Sequence, residues 1–285
     1  MEIKFTKWQG CGNDFLLLDC LEEAKAPVRP EDYAAFARRV CDRHYGVGGD
    51  GVLVVEPPTV NADFRMRIFN TDGSEAEMCG NGIRCFARYL YDFGLTDKTE
   101  FTVETGAGIL VPRIILEGGQ VTGVRVDMGE PHLRAEEIPV TGCSSERVIA
   151  QPLEVEGKTY EMTCVSMGNP HCVIFVDDAE SFPIHELGTL FEHHERFPKR
   201  TNTEFVTVKD AEHLRMRVWE RGAAVTLACG TGSCATLVAA ALTGRTGRMA
   251  EIELDGGCLQ VEWAGDNHVF MTGPAELVFS GILHG

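Results

Sequence analysis

Two segments of the chain carry the same alternation of apolar and polar side chains. Residues 64 to 70 read Phe-Arg-Met-Arg-Ile-Phe-Asn and residues 214 to 220 read Leu-Arg-Met-Arg-Val-Trp-Glu, a period of two that predicts a half-buried strand in each place. The second copy lies 150 positions after the first. Nine residues beyond each strand stands a cysteine in a glycine-rich turn, Met78-Cys79-Gly80-Asn81-Gly82 and Ala228-Cys229-Gly230-Thr231-Gly232, again 150 apart. A repeat of this length points to two supersecondary units built alike.

Both turns run into helical patterns. Ile83, Phe86, Ala87 and Leu90 recur at helical spacing after Cys79, and a small apolar run from Cys234 through Leu242 follows Cys229. A helix that is apolar on most faces is a buried one, so each is expected at the centre of its lobe with a sheet wrapped around it. Gly94 and Gly244 are the expected ends. Next, Thr105-Gly106-Ala107-Gly108-Ile109-Leu110 matches Asp255-Gly256-Gly257-Cys258-Leu259-Gln260 at the same offset, which reads as a hairpin in each half. Earlier, Gly12-Asn13-Asp14-Phe15 corresponds to Gly168-Asn169-Pro170-His171 at an offset of 156. Strands outnumber helices, so the expected class is α+β: two pseudo-symmetric lobes, each a mixed or antiparallel sheet around a central helix.

Composition narrows the function. At 285 residues the chain is long enough for two cores. No run approaches the roughly 20 apolar residues of a membrane span. Met1-Glu2-Ile3-Lys4-Phe5 moves directly into a strand alternation without the basic and apolar regions of an export signal, so no membrane partner and a cytoplasmic location are expected. Asp and Glu outnumber Lys and Arg by 43 to 26, a net charge of −17 that opposes phosphate contacts and makes nucleic acid an unexpected partner. The 11 cysteines are expected to be mostly thiols, and without a Cys-x-x-Cys pair no metal is expected. Gly157-Lys158-Thr159 has Pro152 where a phosphate loop needs its upstream glycine, and the Gly46 to Gly51 loop is weak evidence by itself, so no cofactor is expected.

A cysteine directly before a helix start has its thiolate stabilised by the positive end of the helix and by unpaired N–H groups, so its pKa is expected to fall. The same N–H groups suit a carboxylate. Inverting a stereocentre takes a base on one face of a carbon and an acid on the other. Two cysteines at equivalent repeat positions supply both, whereas a lone helix-start cysteine would by default be a buried structural thiol.

The segments Gly12-Asn13-Asp14-Phe15, Asn70-Thr71-Asp72-Gly73-Ser74, Met78-Cys79-Gly80-Asn81-Gly82, Gly168-Asn169-Pro170-His171, Glu220-Arg221-Gly222 and Ala228-Cys229-Gly230-Thr231-Gly232 together resemble the diaminopimelate epimerase family over almost the whole chain. Proline-racemase-like relatives of that fold usually carry histidine where Asn81 stands. The resemblance implies a cofactor-independent isomerase of a small amino-acid substrate, interconverting LL- and meso-diaminopimelate on the way to lysine and peptidoglycan. It implies Cys79 and Cys229 as alternating acid and base, with the backbone of Gly80, Asn81, Gly230 and Thr231 holding the reacting carboxylate. Asn13, Asn70, Asn169, Asn202, Glu220 and Arg221 would contact substrate, and His171 and Glu220 would tune the cysteines. A first lobe of residues 1–122, completed by a strand in 275–285, and a second of 123–274 are expected, as is a homodimer, with Phe279 where a dimer-contact tyrosine often stands.

Other readings stay open beside these roles. Asn13, Asn70 and Asn202 also suit turn capping, Glu220 and Arg221 an exposed ion pair, and His171 a structural histidine. Gly51 stands where some members carry a glutamine, and Ala224 replaces the glycine of the usual Glu-Arg-Gly-x-Gly, so the turn toward Cys229 is expected to shift. The competing functions are racemisation of another amino acid, such as histidine, and a non-catalytic thiol-redox or amino-acid-binding module with a reversible Cys79–Cys229 disulfide.

Overall fold

The computed structural model describes residues 2–22 and 26–284. It divides into two compact units, Met1–Val126 with Gly273–Gly285, and Asp127–Thr272. The first unit begins with β1 (Glu2–Gly10) and β2 (Asn13–Asp19), crosses through α1 (Tyr33–Val40) to β3 (Gly51–Glu56), and returns as β4 (Phe64–Asn70). The short β5 (Glu75–Ala76) leads into α2 (Gly80–Asp92). Two hairpins follow, β6 (Val103–Thr105) with β7 (Gly108–Leu110), then β8 (Arg113–Glu117) with β9 (Gln120–Asp127).

The second unit opens with β10 (Gln151–Val155), β11 (Lys158–Ser166) and β12 (Pro170–Phe175), then α3 (Ile184–Glu192), β13 (Asn202–Val208) and β14 (His213–Glu220). The strand β15 (Ala224–Thr226) precedes α4 (Gly230–Leu242), which is followed by β16 (Met249–Leu254), β17 (Gly257–Trp263) and β18 (Val269–Gly273). The last strand, β19 (Glu276–His284), belongs to the first unit and pairs with β1.

Strand order in the first unit is β19-β1-β2-β3-β4-β6-β7, and in the second it runs β10-β11-β12-β13-β14-β16-β17-β18. The pairings β2–β3, β3–β4, β4–β6 and β6–β7 alternate parallel and antiparallel, and β12–β13, β13–β14, β14–β16 and β16–β17 repeat that series. The sequence repeat is therefore a repeat of topology, in the expected α+β class. Register assigns equivalent positions: Leu53 opposes Ile68 and Glu204 opposes Val218, while Phe15 opposes Gly51 and His171 opposes Asn202. The hairpin departs from the expected offset. Phe64 pairs with Val103 but Leu214 pairs with Ile252, so the second hairpin arrives one residue early, a slip that its glycine-rich turn tolerates.

Each sheet curls around one helix. The helix α2 packs against β1, β2, β3, β4 and β19, and α4 against β11, β12, β13, β14, β16 and β17. Cys234 through Ala240 are all fully buried, as an apolar helix requires. The helix α2 differs from that expectation: it exposes Asp92 and buries Arg84, whose guanidinium donates to the carbonyl oxygens of Gly80 (3.2 Å) and Pro274 (3.1 Å). Both helices close on a left-handed glycine, Gly94 (φ 69°) and Gly244 (φ 70°), whose N–H groups donate to Tyr91 and Ala241.

The opposite sheet faces are covered too. Tyr33, Phe36, Ala37 and Val40 of α1 pack on Leu16, Leu18, Val52 and Val54, and Ile184 and Phe191 of α3 pack with Ile174 and Phe205. Central strands covered on both sides need apolar residues in sequence, and β3 is buried at every position. Each large side chain so buried contributes roughly 1.5–3 kcal/mol. No helix among the described residues is long and apolar enough to cross a membrane.

Candidate active site

Both motif cysteines are N-caps. Cys79 (φ −144°, ψ 121°) and Cys229 (φ −132°, ψ 108°) have extended backbones, and the thiol of each accepts the N–H three residues on, from Gly82 and from Gly232, at 3.4 Å. Their carbonyls accept the first helical bonds, from Ile83 and Ser233, each at 2.9 Å. The earlier N–H groups of each first turn, on Gly80, Asn81, Gly230 and Thr231, have no intrahelical acceptor and form an anion-binding end.

At the first cysteine, Asn13 Oδ1 lies 3.7 Å from Cys79 Sγ and accepts from Asn81 Nδ2 at 3.2 Å. Asn13 Nδ2 in turn donates to Asp50 at 2.7 Å, and Arg43 bridges Asp50 (2.9 Å) and Asp14 (2.8 Å). The buried Lys7 closes on Asp14 at 2.7 Å. The Gly46 to Gly51 loop thus anchors Asn13 through Asp50. Asn70 lies at the neighbouring turn, where its amide donates to Ser74 Oγ at 3.0 Å.

At the second cysteine the surroundings carry charge. Thr231 Oγ1 is 3.6 Å from Cys229 Sγ and accepts from Asn169 Nδ2 at 3.3 Å. Asn169 Oδ1 meets His171 Nε2 at 3.0 Å, and His171 Nδ1 meets Glu204 Oε1 at 2.7 Å. Glu220 accepts from the Thr226 hydroxyl. Burial pushes the Glu220 carboxyl above its ordinary value, against the opposing hydrogen bond from Thr226 and the charge of His171.

The expected fall in cysteine pKa does not occur at Cys229. Burial pushes its thiol well above the usual value, and the charges of Glu220 and Glu204 push further in that direction. The Thr231 hydroxyl and the Gly232 N–H oppose them without prevailing. Desolvation outweighs the helix start here because the thiol is enclosed beside two carboxylates.

Ala224 takes φ 58°, a left-handed conformation that costs alanine backbone strain. Asn202 is bonded at both ends of its amide, donating to Pro170 O at 2.8 Å and accepting from Arg221 N at 2.9 Å. The exposed Arg221 side chain donates to Lys199 O at 3.2 Å, without a Glu220–Arg221 ion pair among the described residues. No group of three or more His, Cys, Asp or Glu residues with the makings of a metal site occurs among the described residues.

Sequence reasoning missed Glu204 and Asp50. Asp50 carried a weak signal, standing in a glycine-rich loop. Glu204 carried less, because its significance comes from His171 on the adjacent strand.

The diaminopimelate epimerase family model matches residues 5–134 and 163–278. A diaminopimelate epimerase of Moorella thermoacetica is 57% identical over 97% of this chain and 98% of its own length. Diaminopimelate epimerase 1 of a Nostoc species is 53% identical over 99% of this chain and 100% of its own. Among solved structures, a phenazine biosynthesis protein of the PhzF family from Bacillus anthracis aligns over 100% of both chains with a TM-score of 0.70 at 18% identity, a likeness of fold. Motifs, fold and full-length identity agree: the chain belongs to the diaminopimelate epimerase family.

Proposed function

We propose that this isomerase interconverts LL- and meso-diaminopimelate with Cys79 and Cys229 as the two proton-transfer groups. The observation that carries the reading is the equivalence of the two thiols, each capping a buried helix whose first-turn N–H groups lie beside it. One thiolate takes the α-proton, and the electron pair left on carbon spreads into the carboxylate. The N–H groups of Gly80, Asn81, Gly230 and Thr231 meet that charge. The other thiol returns a proton to the opposite face, which inverts the centre with no change of oxidation state.

His171 and Glu220 set the protonation of Cys229, and Asn13 and Asn169 contact the substrate from turns in which their amides are tied to Asn81 and Thr231. Asn70 and Asn202 hold turns, the latter fixing the backbone of Arg221, whose guanidinium suits a distal carboxylate as a forked donor. The enzyme works in the cytoplasm as a homodimer through β19, where Leu277, Val278, Phe279 and Ile282 are exposed.

Chiral separation of products tests the substrate. LL-diaminopimelate is converted to the meso isomer, and Arg221→Ala raises KM at least about tenfold, the loss of a charge-assisted pair. Turnover of single-ended amino acids such as histidine, unaffected by that substitution, would overturn the assignment.

A further inference from the structure

Glu204 is fully buried on β13, and it bears on the Cys229 thiol through its charge. Its Oε1 is engaged with His171, while Oε2 is buried with no hydrogen-bond partner among the described residues. A half-satisfied buried carboxylate costs stability, so its presence calls for a function. From Glu204 a continuous chain runs through His171, Asn169 and Thr231 to the Cys229 thiol, with links of 2.7, 3.0, 3.3 and 3.6 Å.

A second contact closes the ring. A Cβ at Gly232 would stand 2.8 Å from Glu204 Oε1 and 3.2 Å from Cys229 Sγ, so the helix start is held between carboxylate and thiol with no room for a side chain. The first unit has the same geometry without the charge. Leu53 takes the place of Glu204 and Phe15 that of His171, and a Cβ at Gly82 would meet Leu53 Cδ2 at 3.2 Å.

We propose that Glu204 is a positioning residue for the Cys229 half of the reaction: acceptor oxygens stand on both sides of the His171 ring, so both of its nitrogens donate, Nδ1 to Glu204 and Nε2 to Asn169 Oδ1, and the carboxylate thereby fixes the Asn169 amide against Thr231 and the thiol. This rests on the reading that Cys229 transfers a proton. A carboxylate on one imidazole nitrogen orients the ring and stabilises the form in which both nitrogens carry hydrogen, so that the second nitrogen can donate to the oxygen it faces. The titratable groups facing this core are His171 from β12, Glu204 from β13, Glu220 from β14 and Cys229 at the start of α4. The Glu204 charge is also among the causes that raise the Cys229 thiol.

Glu204→Leu tests it, alone and with His171→Phe, the pair that the first unit already packs at these positions. The expected result is a fall in kcat of about 10- to 100-fold with KM within about threefold. Alkylation by iodoacetamide, mapped by peptide, reaches half its maximal rate at lower pH for Cys229 and at an unchanged pH for Cys79. In the unsubstituted protein, 15N NMR is expected to show a hydrogen on each of His171 Nδ1 and Nε2, both in hydrogen bonds. A bare Nδ1 or a bare Nε2, a folded variant with wild-type kcat and alkylation profile, or an equal shift at both cysteines would overturn the proposal. An unsubstituted enzyme that exchanges no α-hydrogen overturns the underlying reading instead, and the alkylation profiles do not depend on it.

Discussion

Cys79 and Cys229 begin from the same local pattern and end in different surroundings. Beside Cys229 stand Glu204, Glu220 and His171, while the positions equivalent to Glu204 and His171 beside Cys79 hold Leu53 and Phe15. On the proposed two-base reading, replacing either cysteine by alanine removes an acid in one direction and a base in the other, so kcat is expected to fall at least about 10³-fold in both. Steady-state assays of both isomers check this, with thermal unfolding to show that the fold is retained. Glu220→Gln separates stability from chemistry. The folded-state pKa of Glu220 lies above its unfolded value, so the folded protein retains this proton to higher pH than the unfolded chain, and ionisation costs stability as pH rises through that window. The variant therefore loses activity, and its unfolding midpoint gains on wild type as pH rises above about 4.5, the two converging below it. A gap that widens toward acid would contradict this.

The cysteines were legible because the repeat marks them at a fixed offset. Glu204 was not, since a strand reading Asn-Thr-Glu-Phe-Val-Thr-Val suggests that its acid faces water, and only the register against β12 reveals the histidine beside it.

At the scale of elements, the helices, the strands flanking them and the glycine ends follow from apolar periodicity and turn chemistry. The one-residue slip of the second hairpin did not show, because adjacent glycines at 256 and 257 give the same match in either register. At the Ala224 turn, hairpin pairing with Glu220 holds a left-handed conformation that alanine disfavours. Ala224→Gly relieves a left-handed alanine and stabilises by about 1 kcal/mol, raising Tm by roughly 2–4 °C with activity retained. Calorimetry decides it, and an unchanged or lower Tm would remove the strain from the account. The two helix starts differ in the same way. Alanine gains about 1 kcal/mol over glycine inside a helix. At Gly82 that gain meets a movable leucine methyl, whereas at Gly232 it meets the Glu204 carboxylate, so Gly232→Ala unfolds at the lower temperature of the two.

At the scale of the whole molecule, duplication explains why one chain holds two similar sheets and two capped helices, and the later strand β19 explains why the first unit needs the end of the chain. Its pairing runs from Glu2 against His284 to Gln9 against Glu276, and Pro274 and Ala275 supply carbonyls to Arg84 and Arg88. Removing residues 274–285 leaves β1 as an unpaired edge and strips the buried Arg84 of an acceptor, so hydrogen exchange accelerates through β1 and α2 while β13 and β14 stay protected. On the proposed two-base reading, duplication also gives the chemistry its logic, since inversion takes proton transfer on two faces and the two thiols stand at equivalent positions of the repeat. The most direct measurement is deuterium uptake at the α-carbon of diaminopimelate in heavy water under reducing conditions. The predicted result is one solvent deuteron entering as LL and meso isomers interconvert, abolished in both Cys79→Ala and Cys229→Ala. Interconversion without solvent deuterium, or exchange that survives loss of both thiols, would contradict it.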